Sequence, residues 1–195
     1  PNDIRWVVES KEYQMLCHQV YDTAEEKLRN IIATNGSHEN QAIIMDLDET
    51  VLDNSKYQVE NFNKGETFNM ESWAMWVNRE EADLVPGVKE YIDLIRELGI
   101  QLIFISNRMD ERLEATKENM RKLDNYNEGD IYLLRLDKKD KKNIRREEIF
   151  NGVNRMAEYG SFDVILYIGD AMGDFPKDDN NTNKYILPNP MYGKW

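Results

Sequence analysis

Two aspartates that stand two residues apart at the end of an apolar stretch are the strongest chemical signal in this sequence. Residues 41–45 read as a buried strand, and Asp46 and Asp48 follow it. Side chains at positions i and i+2 of an extended chain point the same way, so both carboxylates can face one site. Two carboxylates this close repel each other unless a proton or a cation intervenes, and a hard cation such as Mg²⁺ would relieve the repulsion. A pair of solvated turn aspartates is the alternative, and the pair alone does not decide between the two.

Other groups that suit a phosphate site follow later apolar stretches. Asp170 and Asp174 add two carboxylates, and Ser106 offers a hydroxyl and nearby backbone N–H groups to a phosphate oxygen. A lysine can supply positive charge, and four candidates stand close together: Lys138, Lys139, Lys141 and Lys142. An exposed, charged start of a helix is the alternative for all but one of these lysines. Together these groups favour a metal-assisted phosphate site over a chance cluster of acids.

The elements that must position these groups alternate between strands and helices. Strands are predicted at residues 41–45, 100–105, 130–134, 164–168 and 185–187. Helices are predicted at residues 4–34, 86–98, 110–123 and 141–159, the last with a break near Gly152. This alternation predicts an α/β fold, a Rossmann-like parallel sheet in three layers with helices on both faces. Ligands of such sheets bind beyond the carboxyl ends of the strands, which is where the polar groups lie.

Residues 53–82 differ from the rest of the chain because they are polar and rich in aromatic side chains. We predict that they form a small helical cap beside the sheet. With 195 residues and 41% hydrophobic content, residues 1–195 suit one domain with one core. From the residues alone, Phe68 and Trp73 of the cap and Tyr192 near the end of the chain could all pack in the core.

The composition excludes some classes of partner. A formal net charge of −12 argues against a nucleic-acid polymer, because binding to a phosphate backbone needs clustered Lys and Arg. It does not argue against a small phosphate, since a metal ion can reverse the field inside a site. No apolar run reaches the roughly 20 residues of a membrane span. The chain starts at Pro1 without a basic or apolar leader, so we expect any signal peptide or lipid anchor to lie upstream.

The motifs resemble those of the haloacid dehalogenase superfamily in its phosphatase version. Residues 46–52 look like motif I, and Ser106, Lys142 and the pair Asp170 and Asp174 fit motifs II, III and IV in order and spacing. Further segments are similar to the bacterial class C acid phosphatases, which are surface lipoproteins. These segments are residues 44–54 with Tyr57, 106–108, 165–170 with 173–175, and 187–193 with Trp195, while Ala171 and Met172 depart from the family pattern. The similarity covers nearly the whole chain.

The resemblance implies a Mg²⁺-dependent acid phosphatase that works through an aspartyl-phosphate. Asp46 would be the nucleophile, and Asp48 would act first as general acid and then as general base. The metal ligands would be Asp46, the backbone carbonyl of Asp48, and Asp170, while Asp174 would bind through water or orient the others. The phosphate would be held by Ser106, Asn107 and Lys142.

The resemblance also implies a substrate class and a location. Phe68, Trp73 and Tyr192 would stack the ring of a small phosphorylated substrate, with nucleoside 5′-monophosphates favoured. The protein would be secreted or held at the cell surface, and the resemblance leaves room for a homodimer. A C–halogen or C–P bond hydrolase is one alternative, which Asp48 opposes because those branches lack a general acid there. A non-catalytic surface protein that binds aromatic ligands is the other.

Overall fold

The computed structural model describes residues 1–193, in which strands and helices alternate along the chain. Lys194 and the Trp195 of the family resemblance lie outside the described residues. The strands are β1 (Gln41–Met45), β2 (Leu52–Asp53), β3 (Asp83–Leu84), β4 (Gln101–Met109), β5 (Ile131–Arg135), β6 (Asp163–Gly169) and β7 (Lys184–Ile186). The helices are α1 (Asn2–Glu9), α2 (Lys11–Asn35), α3 (Ser55–Lys64), α4 (Met70–Arg79), α5 (Val88–Glu97), α6 (Leu113–Lys122) and α7 (Lys142–Asn151). None of the described helices is long and apolar enough to cross a membrane.

Five strands form a parallel sheet in the order β5-β4-β1-β6-β7. Strand β1 lies in the middle, where Ile44 pairs with Ile103 on β4 and with Tyr167 on β6. Because all of these strands run the same way, the carboxyl ends of β4, β1 and β6 meet at one edge of the sheet. The predicted α/β parallel sheet is confirmed.

Both faces of the sheet are covered, which is why β1 is buried along its whole length. Ile43 and Met45 pack into one core, which includes buried residues of α2 and α5. Ala42 and Ile44 point the other way into a second core, where Ile149 of α7 packs. This alternation follows the two-residue period of a strand and gives the predicted three layers.

The stretch predicted as a cap holds α3 and α4. Strands β2 and β3 pair antiparallel at its two ends, with Leu52 opposite Leu84. Asn69 begins α4 by accepting a hydrogen bond from the backbone N–H of Ser72 at 2.8 Å, the usual role of an N-cap side chain. Trp76 of α4 is 2% exposed and packs into the core beside the sheet, so the cap helices are anchored to the main body. The division into one domain with a cap stays a prediction.

Four elements differ from the prediction. The helix predicted at residues 141–159 ends at Asn151 and is followed only by a 3₁₀ turn at Asn154–Met156. The helix predicted at residues 4–34 is divided at Ser10, whose backbone is extended. The Ser10 hydroxyl accepts a hydrogen bond from the backbone N–H of Tyr13 and so caps the second helix. Strand β4 continues to Met109, so Ser106 belongs to the strand and not to a loop after it. Helix α5 begins at Val88, one residue after Gly87, whose φ of 84° a helix does not allow.

Candidate active site

Three carboxylates converge at the edge where β1 and β6 end. Oxygens of Asp46, Asp170 and Asp174 all lie within 4.8 Å of one another. Asp46 follows β1 directly, and its backbone N–H donates to the carbonyl of Ile168 on β6 at 3.0 Å. This bond extends the β1–β6 ladder by one residue and brings Asp46 beside the turn that carries the other two aspartates. The cluster could hold a divalent cation.

Lys142, at the first position of α7, lies between two of these carboxylates. Its Nζ donates to Oδ1 of Asp46 and to Oδ1 of Asp174, both at 2.6 Å. Burial lowers the pKa of Lys142, but the two carboxylates outweigh burial and the pKa is raised, so the side chain stays charged. The other three candidate lysines are exposed: Lys138, Lys139 and Lys141.

The electrostatics of the cluster suit a cation with oxygen ligands. Burial raises the pKa of Asp46 well above its usual range, and the negative charges of the nearby aspartates add to the rise. The positive charge of Lys142 lowers this pKa but does not outweigh burial. Burial and the charge of Asp174 raise the pKa of Asp170 to about 6, although Asn189 donates to its Oδ2 at 2.8 Å. When ionised, the three carboxylates carry more negative charge than the one ammonium group offsets; Asp46 and Asp174 are buried and Asp170 is half-buried. A donor set made only of carboxylates fits a hard divalent cation.

Asp174 also shapes the turn after β6. Its Oδ2 accepts hydrogen bonds from the backbone N–H groups of Asp170 at 3.1 Å and Ala171 at 2.9 Å. A Cβ atom on Gly169 would lie 2.5 Å from the Cβ of Asp174, so only glycine fits there. Arg146 of α7 donates to the backbone carbonyl of Asp174 at 3.1 Å, a contact that the sequence did not reveal. The turn is therefore fixed from both sides.

The carboxylate of Asp48 does not join the three. Its Oδ1 accepts hydrogen bonds from Nη2 of Arg108 at 2.8 Å and from Nδ2 of Asn54 at 2.9 Å. Any metal contact of Asp48 is thus left to its backbone carbonyl, as the family resemblance implies. Arg108 and Asn54 were not predicted as partners of Asp48. One available signal was the spacing of Arg108 two residues after Ser106 on an extended strand, which puts the two on the same side.

Ser106 and Asn107 lie near the end of β4, and Ser106 contacts Asp48. The Oγ of Ser106 is buried, accepts from the backbone N–H of Arg108 at 3.1 Å and lies 3.4 Å from Oδ2 of Asp48. The side chain of Asn107 is exposed, and its Oδ1 accepts from Nη2 of Arg145 at 2.9 Å. Arg145 also donates to the carbonyl of Ser106. Helix α7 therefore contacts the end of β4 through Arg145 and the aspartates through Lys142.

Two of the three aromatic residues predicted to form a slot lie together. The ring centroids of Phe68 and Trp73 are 6.1 Å apart, and Phe68 is 57% exposed. The guanidinium of Arg108 lies 5.7 Å from the centroid of Trp73, which connects this pair to Asp48. Tyr192 is 40% exposed and takes part in no ring–ring pair among residues 1–193.

Comparison with known proteins places this site in a family context. The sequence profile of the HAD superfamily, subfamily IIIB (acid phosphatase), matches residues 2–195. A crystal structure of the class C acid phosphatase from Bacillus anthracis with tungstate bound superposes with a TM-score of 0.85 at 29% sequence identity. The match covers 98% of this chain and 84% of that one.

Curated relatives are more distant and longer. A stem 31 kDa glycoprotein of Glycine max is 26% identical over 161 residues, which are 80% of this chain and 60% of that protein. Vegetative storage protein 1 of Arabidopsis thaliana is 26% identical over 96% of this chain and 67% of its own length. Acid phosphatase 1 of Solanum lycopersicum is 25% identical over 92% of this chain and 69% of its own length. The chain thus spans about 60% of the length of the first curated relatives that it matches.

Proposed function

The chain belongs to subfamily IIIB of the haloacid dehalogenase (HAD) superfamily, the acid phosphatases, and from this membership we propose that it hydrolyses phosphomonoesters with Mg²⁺ through a phosphorylated Asp46. The observation that carries the proposal is the convergence of Asp46, Asp170 and Asp174 on one another. The contact of Lys142 with two of the three adds the positive charge that a bound phosphate needs. This set suits a cation and an anion together.

The mechanism assigns one step to each side chain. A carboxylate oxygen of Asp46 attacks phosphorus, and the P–O bond to the leaving alcohol breaks while Asp48 gives its proton to the leaving oxygen. Asp48 then takes a proton from the water that attacks phosphorus, which frees Asp46 and releases phosphate. Lys142 and the hydroxyl of Ser106 hold phosphate oxygens, with Asn107 beside them. Mg²⁺, when bound, supplies positive charge that offsets the repulsion between the attacking carboxylate and the phosphate.

The nucleophile is tested by Asp46→Asn in a hydrolysis assay. With Mg²⁺ the wild type should release alcohol from a chromogenic phosphate ester, and a chelator should stop it. Asp46→Asn should lose activity by about 10³-fold or more, because a neutral amide is a much poorer nucleophile than a carboxylate. Asp22→Asn, an exposed change on α2, is the matched control and should keep full activity. Full activity in a folded Asp46→Asn protein would refute the assignment.

The substrate class follows from the aromatic pair. We propose that Phe68 and Trp73 stack the ring of the leaving group, with Tyr192 as a further wall, and that nucleoside 5′-monophosphates are favoured. Stacking on an aromatic side chain contributes about 1–3 kcal/mol per base, and Phe68 presents an exposed ring beside Trp73.

Phe68→Ala tests this preference. It should lower kcat/KM for a nucleoside monophosphate by about tenfold, the value of one lost stacking contact, and change glycerol phosphate far less. Phe62→Ala removes a similarly exposed ring from α3 and is the matched control. Equal losses on both substrates, or no loss on either, would contradict a slot at Phe68.

A storage or binding role is the second candidate, because one relative is named a vegetative storage protein. The retention of Asp46, Asp48, Asp170 and Asp174 favours the enzyme, and the assay above separates the two. A secreted or cell-surface location and a homodimer both remain proposals from the resemblance to surface lipoprotein phosphatases.

A further inference from the structure

The two oxygens of the Asp48 carboxylate have unequal surroundings. Oδ1 accepts three N–H groups, from Arg108 Nη2 at 2.8 Å, from Arg108 Nε at 3.0 Å and from Asn54 Nδ2 at 2.9 Å. Oδ2 has only longer contacts, 3.3 Å from Arg108 Nε and 3.4 Å from Ser106 Oγ. Three donors use the acceptor capacity of one carboxylate oxygen, so Oδ2 is the atom left to serve another partner.

Arg108 is held too firmly to release Oδ1. It is 2% exposed, and its Nη1 donates to Oγ1 of Thr116 on α6 at 3.1 Å. The ring of Trp73 lies against the guanidinium at 5.7 Å. A planar guanidinium that is bonded along one edge and packed on its face keeps one orientation, and this fixes the rotation of the carboxylate that it contacts.

Asn54 is oriented by a group that can only donate. The indole Nε1 of Trp76 donates to Oδ1 of Asn54 at 2.8 Å, so the amide must turn its Nδ2 the other way, toward Asp48. The same Nδ2 also donates to the carbonyl of Leu52 at 3.2 Å, and Asn54 is fully buried. Helix α4 thus sets the direction of the second donor to Asp48.

We propose that Arg108 and Asn54 are positioning residues that hold Asp48 by Oδ1, so that Oδ2 is the oxygen that exchanges the proton during catalysis. The inference rests on the proposed role of Asp48 as general acid. As the P–O bond to the leaving group breaks, the proton passes from Oδ2 to the leaving oxygen and Asp48 becomes a carboxylate. In the second step Oδ2 takes the proton of the attacking water, which restores the acid.

The dependence of rate on the leaving group tests this arrangement. Dinitrophenolate departs without a proton, whereas an alkoxide needs one, so only the alkyl ester depends on the acid. The ratio of kcat/KM for dinitrophenyl phosphate to that for glycerol phosphate should rise in Asp48→Asn by about 10²–10⁴-fold, the usual contribution of a general acid.

Two variants address the positioning residues. Arg108→Lys keeps the charge but loses the two-pronged contact, and the same ratio should rise by about 10-fold to 100-fold. Trp76→Phe keeps a ring but removes the shorter of the two N–H contacts to Oδ1 of Asn54, which leaves only the 3.4 Å contact from Arg108, and the ratio should rise by about 3-fold to 10-fold. Arg96→Lys is the control, because Arg96 pairs with Asp130, which precedes β5 at the edge of the sheet opposite the site. This variant should leave the ratio unchanged.

The outcomes are distinguishable. A ratio that rises in Asp48→Asn but stays at the wild-type value in both Arg108→Lys and Trp76→Phe overturns the positioning role alone. A ratio that stays constant in Asp48→Asn overturns the general acid of the proposed function, and the inference with it. If Arg108→Lys does not fold, the Trp76→Phe ratio decides, because that variant removes one N–H and keeps the packing.

Discussion

At the scale of single residues, Lys142 holds together two carboxylates that would otherwise repel each other. Its ammonium is 2.6 Å from an oxygen of Asp46 and 2.6 Å from one of Asp174, and its side chain is 9% exposed. Removing one partner of a buried ion pair leaves an uncompensated charge, which costs about 3–5 kcal/mol. A divalent cation bound by the same aspartates would replace part of the missing charge.

Lys142→Met should therefore destabilise the metal-free protein by about 3–5 kcal/mol. Mg²⁺ should raise the free energy of unfolding more in the variant than in the wild type, because the cation meets more negative charge there. Urea unfolding with and without Mg²⁺ measures both quantities, and Lys141→Met at an exposed neighbour is the control. Equal stabilisation by Mg²⁺ in Lys142→Met and wild type would show that lysine and cation do not share a site.

Sequence spacing identified the carboxylates but only part of their surroundings. Asp46 and Asp48 stand out because both follow an apolar strand at a two-residue interval. The hydrogen bonds from Arg108 to Asp48 join residues 60 positions apart, and the spacing of Arg108 from Ser106 indicates a shared side of the strand but not the partner. The choice of Lys142 among four lysines came from family spacing, while its burial became visible only in three dimensions.

At the scale of elements, the turn after β6 depends on the close approach of its first and last residues. Asp174 accepts two backbone N–H groups of the turn, and Gly169 has no room for a side chain. The turn carries Asp170, so its shape sets the distance between the carboxylates.

Gly169→Ala should lower kcat/KM by about 10²-fold, because a displacement near 1 Å in a catalytic group has that effect. Gly173→Ala is the matched control in the same turn, since a Cβ there meets nothing within 4 Å, and it should stay near wild-type activity. Steady-state kinetics with a thermal melt of each variant makes the measurement. An active Gly169→Ala protein would mean that the turn relaxes without moving Asp170.

Periodicity predicted the buried strands well and the ends of elements less well. The apolar pattern of residues 4–34 continues through Ser10, yet the Ser10 side chain caps a new helix there by accepting from the N–H of Tyr13. The available signal was the serine itself, because Ser is one of the residues preferred at an N-cap. The strand was predicted to end at residue 105 because polar residues follow, yet β4 continues to Met109. A hydrophobic pattern indicates which side chains are buried and does not indicate which backbone groups pair with a neighbouring strand.

At the scale of the whole molecule, the order of the strands decides what can meet. Strands β4 and β6 flank β1 in the sheet, although 50 or more residues separate each pair in the chain. The sequence predicted which strands carry polar ends but not their neighbours. Right-handed crossovers of parallel strands allow only a few orders, and the observed order makes neighbours of β4, β1 and β6, the strands that carry the polar ends.

Trapping the phosphoryl group on the chain would identify the nucleophile directly. Asp48→Asn should form the phosphoenzyme from dinitrophenyl phosphate, which needs no acid, and hydrolyse it slowly, because no base activates water. After acid quenching and peptide mapping, phosphate should be found on Asp46 and should be absent from the Asp46→Asn Asp48→Asn double variant. Phosphate on another residue, or turnover without any label on Asp46, would contradict the assignment of Asp46 as the nucleophile.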